Sequence, residues 1–142
     1  DARGALTLNR GISPGENSLA TLHSSIGTVS IEAAPADSLI PEDVPIHVLK
    51  IDVEGWEQKA LRGMPRILNS PSLKRIFVEF SPKRQTEAGD DPKALLERLK
   101  ECGFSLYYMN ERERRLEPTT PAGALDLAES QTLKMINVLA KK

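Results

Sequence analysis

The pattern of apolar and polar positions changes character near residue 46. Before it, two short β-like runs, Leu6 to Leu8 and Val29 to Ile31, stand among Gly, Ser, Thr and Pro, with Ser13, Pro14 and Gly15 marking a turn. Asp37 to Ile40 reads as one helical turn, capped by Asp37 and stopped by Pro41. Residues 46–53 are rich in β-branched side chains, with apolar positions on both parities. That pattern marks a strand covered on both faces of a sheet. Trp56, Ala60, Leu61 and Met64 then recur at helical spacing, with Glu57 in the first turn, and predict a helix over 55–63. Gly63 and Pro65 end it, and Ile67 and Leu68 suggest a further turn.

A second strand is predicted over 75–80. Asp91 and Pro92 then open a helix as N-cap and first helical residue. Leu95, Leu96, Leu99 and Cys102 make one apolar stripe, and Gly103 sits where a left-handed cap belongs. A third strand is expected over 104–109, an exposed charged turn from Glu111 to Arg115, and a last strand over 134–140. This alternation predicts an α/β fold with a mostly parallel sheet and an antiparallel closing pair. The whole chain, 1–142, reads as a single domain, with a β-rich irregular segment over 1–45 and an α/β part over 46–142.

Composition narrows the partners. Nineteen Lys and Arg against 20 Asp and Glu give a net charge of -1, so no strong field draws the chain to nucleic acid. A single cysteine, Cys102, excludes an internal disulfide and a Cys-rich zinc site. No apolar run approaches the ~18 residues of a membrane span, and a reducing, cytoplasmic setting is the default expectation. The chain begins at Asp1 without a Met and runs directly into strand-like sequence, which reads as the interior of a longer protein.

Chemistry is expected where open α/β sheets bind ligands, beyond the carboxyl ends of the strands. Asp52 and Glu54 end the first strong strand and Glu79 ends the next. On neighbouring strands these three carboxylates would share one crevice, able to hold an amine or hydroxyl, act as a general base or take a hard cation. Equally, Glu54 or Glu57 caps the helix and Asp52 accepts hydrogen bonds from a loop. Lys50, inside a buried strand, needs an anion, and Asp52 two residues on is its expected partner. His23 and His47 lack metal-binding spacing and read as packing or solvated residues, so no metal is expected. Trp56 reads as core, Cys102 as an inert thiol on the helix stripe, and the Gly11 to Gly15 segment lacks the rest of a phosphate loop.

The run from Val48 to Glu57, VLKIDVEGWE, followed by Ala60-Leu61-Arg62-Gly63-Met64, resembles the signature of the FkbM-type methyltransferases. Further likenesses keep their order: the Gly/Ser-rich Gly11 to Leu19, Ala36-Asp37-Ser38-Leu39, Ile76 to Phe80 with its Glu79, Cys102-Gly103-Phe104 and Ile136 to Ala140. The resemblance implies a Rossmann-like sheet and S-adenosylmethionine-dependent transfer of a methyl group, typically to a hydroxyl oxygen. The acceptor would be a small molecule or a glycan or lipid hydroxyl. It also implies a glycine loop and a ribose-binding acid that hold the donor, and no D-x-G-x-x-x-G pattern occurs in these residues. The implied reading is the back half of such an enzyme, lacking the first strands, with the donor bound in the full-length parent. Asp52, Glu54 and Glu79 inherit the catalytic positions. The strand over 46–53 would then lose a neighbour and leave a sheet edge open to self-association.

A competing expectation is a non-catalytic interaction or scaffolding domain derived from the same fold. Leu49-Lys50-Ile51-Asp52 also occurs in EAL-type phosphodiesterases, but these need further acidic ligands and a barrel of about 250 residues. A receiver domain with Asp52 as phospho-acceptor lacks the early acidic pair.

Overall fold

A computed structural model describes residues 3–12, 17, 19 and 25–142. The 13–15 turn, most of the Gly/Ser-rich segment and His23 lie outside the described residues. β1 (Gly4–Gly11) and β2 (Ser25–Ala33) pair antiparallel as a two-stranded ribbon. After the short α1 (Ala36–Leu39) the α/β part begins. It runs β3 (Val48–Ile51), α2 (Glu57–Arg62), α3 (Pro65–Asn69), β4 (Arg75–Phe80), α4 (Pro82–Glu87), α5 (Pro92–Glu101), β5 (Ser105–Asn110), β6 (Arg115–Pro118), α6 (Pro121–Ser130) and β7 (Ile136–Lys141).

The five later strands form one sheet in the order β3-β4-β7-β5-β6. β3 and β4 are parallel, as the alternation predicts. The expectation of a mostly parallel sheet is corrected: β4–β7, β7–β5 and β5–β6 are all antiparallel. The cause is β7, which inserts between β4 and β5 instead of adding at the end, and the β5–β6 hairpin, which turns the chain back through the charged residues 111–114. Among the described residues β3 is an edge strand, paired only with β4, and it is four residues long rather than eight.

The register sorts side chains into two faces. Ile51, Ile76, Val78, Phe80, Leu106, Ile136, Val138 and Ala140 share one face and are all buried. One hydrophobic cluster joins them to Leu61, Met64, Ile67 and Leu68 of the α2–α3 region, to Leu95, Leu96 and Leu99 of α5, and to Ala124 and Ala128 of α6. The α5 leucines are fully buried, each contributing about 1.5–3 kcal/mol. The opposite face carries Val48, Lys50, Phe77, Tyr107, Met109 and Leu116, which are half-buried or exposed, around a buried Leu139. The expectation that the first strand is covered on both faces is therefore corrected. Val48 is 52% exposed.

Local chemistry explains most boundaries. The Asp91 carboxylate accepts from the Lys93 N–H at 2.9 Å, Pro92 follows at the first helical position, and Gly103 takes φ +84° just beyond α5. Asp37 does not cap its own turn. Its carboxylate instead accepts from the backbone N–H groups of Arg66 at 2.6 Å and Ile67 at 3.1 Å, capping α3 from 29 residues away. The Arg66 guanidinium returns two bonds to the carbonyls of Asp37 and Ile40. Asp90 ties α2 to the α4–α5 connection through Lys59 at 2.7 Å and Arg62 at 3.1 Å. Burial would raise its pKa, but the hydrogen bonds from Lys59 and Arg62 outweigh this and hold the carboxyl below its ordinary range.

Candidate active site

The turn after β3 is built by three residues of its own sequence. Glu54 takes φ +55° and Gly55 φ +96°, a left-handed pair that reverses the chain between strand and helix. The first is a strained choice for a residue with a Cβ, costing on the order of 1 kcal/mol. A Cβ on Gly55 would lie 2.6 Å from the Arg84 carbonyl oxygen, so glycine is required there for close approach as well as for its backbone angle. Glu57 locks the turn. Its Oε1 accepts from the N–H groups of Val53 at 3.3 Å and Gly55 at 3.1 Å, while its side chain is almost fully buried.

The close approach of Gly55 to α4 brings the Arg84 side chain over the strand ends. Its guanidinium pairs with Glu54 and lies 3.9 Å from Glu79. Glu79 and Asp52 leave adjoining parallel strands at the same end, two residues beyond the register pair Phe77 and Lys50. The two carboxylates stand close enough for the Asp52 charge to oppose ionisation of Glu79. The Glu79 pKa is raised, first by burial and then by the neighbouring Asp52 carboxylate. Arg84, at the limit of ion-pair distance, is too far to offset this.

Lys50 binds Asp52 at 2.8 Å, as expected, but in the open: the lysine side chain is 71% exposed on the uncovered face. The bond to Asp52 raises the Lys50 pKa. This ion pair answers no burial problem; it places a permanent cation beside Asp52.

The structure thus brings all three sequence-predicted carboxylates together. Asp52 is exposed and Glu54 and Glu79 are half-buried, so each is reachable from solvent. Arg84 was not foreseen; its signal is a cation in the first turn of a helix opened by Ser81-Pro82, immediately after a strand whose last residues hold Glu79. Trp56 is corrected from core residue to turn residue. It is only half-buried, stands outside the hydrophobic cluster, and carries the Lys59 ammonium 4.4 Å from its ring centroid. Cys102 is a free, half-buried thiol packed against the core, and the Nδ1 of His47 meets the Ser72 carbonyl at 3.1 Å. Among the described residues no three His, Cys, Asp or Glu side chains converge closely enough to hold a metal ion. No helix of the described residues is long and apolar enough to cross a membrane.

The methyltransferase FkbM domain model matches residues 3–106, from β1 into β5 and across the whole carboxylate turn. The chain belongs to the FkbM methyltransferase domain family. No curated protein and no solved structure matches it. The FkbM match contains Asp52, Glu54, Glu57, Glu79 and Arg84, so the resemblance carried by the VLKIDVEGWE run and the observed turn coincide. β6, α6 and β7 lie beyond the matched residues.

Proposed function

We propose that this FkbM domain is the carboxyl-terminal part of an S-adenosylmethionine-dependent methyltransferase that methylates a hydroxyl oxygen. The observation that carries the reading is the meeting of Asp52, Glu54 and Glu79 at the carboxyl ends of β3 and β4, around Arg84. No D-x-G-x-x-x-G pattern occurs in the sequence, and the space beside Gly55 is taken by Arg84. The reading therefore assigns the donor chiefly to residues outside these 142, and assigns this chain to the acceptor.

On that side the roles divide by environment. Asp52, exposed and bound by the Lys50 ammonium at 2.8 Å, takes the proton of the acceptor hydroxyl or orients that proton. Glu79, half-buried and raised by burial and by Asp52, holds its proton more readily and serves as a hydrogen-bond donor to the same oxygen or to Asp52. Glu54 is fixed by Arg84 and shapes the wall between them. Positioning of this kind supplies much of the rate in a displacement between two bound reactants. The test is incorporation of labelled methyl from S-adenosylmethionine by the full-length protein into a library of hydroxyl compounds. Methyl ethers appearing only with active protein support the reading, and a well-folded protein that neither binds the donor nor transfers the label overturns it.

A further inference from the structure

A cavity of about 300 Å³ opens at the carboxyl end of β5, where β7 begins. This is the same end of the sheet as the carboxylates, because β7 runs antiparallel to β4 and starts opposite Phe80. Asn137 lines the cavity and is the direct cross-strand partner of Glu79. Such partners have Cβ atoms about 5 Å apart, so the cavity wall at Asn137 neighbours Glu79. The rest of the lining pairs an apolar side, Met109, Leu133, Met135 and Ile136 with Tyr108, with a polar side of Glu111, Arg112 and Gln131. Leu133 is 77% exposed, a large aliphatic side chain standing at the mouth with little protein over it. Small-molecule sites have this make-up, an apolar lining with a few polar groups that fix orientation. Methionines adapt to irregular apolar shapes. The Asn137 amide is already oriented by its 2.8 Å bond to Glu111. The lining residues all lie beyond the FkbM match.

We propose that this cavity binds an alcohol with an apolar body, directing its hydroxyl past Asn137 toward Glu79 and Asp52. Calling that alcohol the methyl acceptor rests on the methyltransferase reading above; the binding itself does not. Against Met109, Leu133, Met135 and Ile136 a sugar leaves its hydroxyls without partners, whereas an aliphatic or aromatic body packs there and leaves its one hydroxyl for the polar side.

The three methionines of the chain supply the probe. Met109 and Met135 line the cavity, and Met64 is buried in the core as an internal reference. Oxidation by hydrogen peroxide, followed residue by residue by peptide mass spectrometry, is measured with 1-octanol and with methyl glucoside. The expected result is at least threefold slower oxidation of both Met109 and Met135 with octanol, no change at Met64, no protection by the glucoside, and loss of protection in Leu133→Asp. Protection of Met109 alone would assign the alcohol to the open sheet face and overturn the proposal, as would equal protection by the glucoside or none by octanol. Full protection in a protein that transfers no methyl group would keep the cavity and remove only the enzymatic reading.

Discussion

Glu79 stands directly across the β4–β7 ladder from Asn137 and, on its other side, neighbours Asp52 at the end of the adjoining parallel strand. One carboxyl group thus links the acidic turn after β3 to the cavity at the start of β7. Burial and the neighbouring Asp52 raise its pKa above the ordinary 4.5.

The sign of the resulting pH dependence follows from linkage. A carboxyl whose folded pKa is raised binds its proton more tightly when folded. It favours folding fully below the ordinary carboxylate range, and that contribution is lost as pH rises through the folded value. Glu79→Gln removes the titration. Its stability relative to wild type should therefore improve from pH 4 upward and level off once Glu79 is ionised in both states. Urea unfolding at a series of pH values reads this directly; a constant offset across the series would contradict it.

Glu57 holds the turn through one oxygen that accepts two backbone N–H groups. Glu57→Ala leaves both without that acceptor, at about 1–3 kcal/mol for a buried donor. Glu57→Gln retains an acceptor oxygen and should recover most of the loss. The comparison is again urea unfolding, and equal destabilisation by both changes would mean that the charge, rather than the two bonds, matters.

Asp37 caps α3 across a long stretch of chain. Asp37→Ala should cost about 0.5–2 kcal/mol, the usual range for a lost cap. Asp37→Asn should recover part of it. Thermal unfolding of the two variants checks the assignment, and an Ala variant as stable as wild type would remove the cap from the account.

Much of this architecture was legible in local pattern. The apolar run ending in Asp52, the run ending in Phe80 and the Asp91-Pro92 helix start all correspond to observed elements, because each is specified by neighbours in sequence. The two strands were correctly placed side by side and parallel, and this is what brings Asp52 to Glu79. Three elements were not read. α4 and β6 are polar and short, and α6 buries mainly alanines, so periodicity is faint in each. A cue for α6 was present: Thr120-Pro121 repeats the cap logic of Asp91-Pro92, and the Thr120 hydroxyl accepts from the Gly123 N–H at 3.0 Å. The mixed sheet was beyond local reasoning. Nothing near Ile136 in sequence says that it will lie between β4 and β5, because the choice is made by contacts 30 to 66 residues apart. Arg84 was missed for the same reason, since its role comes from the Gly55 contact with α4.

The open face and the β3 edge predict behaviour in solution. Val48, Phe77, Tyr107, Met109 and Leu116 present apolar area on one side of the sheet, and among the described residues β3 pairs on one side alone, with Lys50 on its edge. The 142-residue chain alone should self-associate and bind S-adenosylmethionine weakly or not at all. Light scattering and calorimetric titration test both; a monodisperse monomer with micromolar affinity for the donor would contradict this expectation.

The central claim is that Asp52 acts on the acceptor proton, and one substitution isolates it. Asp52→Asn in the full-length protein keeps size and hydrogen-bonding capacity, loses the basic oxygen, and leaves an exposed position, so folding should survive. Methyl transfer measured under saturating donor and acceptor should fall by about 10²–10⁴-fold. The circular dichroism spectrum and donor affinity should be unchanged. Turnover at the wild-type rate in a folded Asp52→Asn protein would contradict the account.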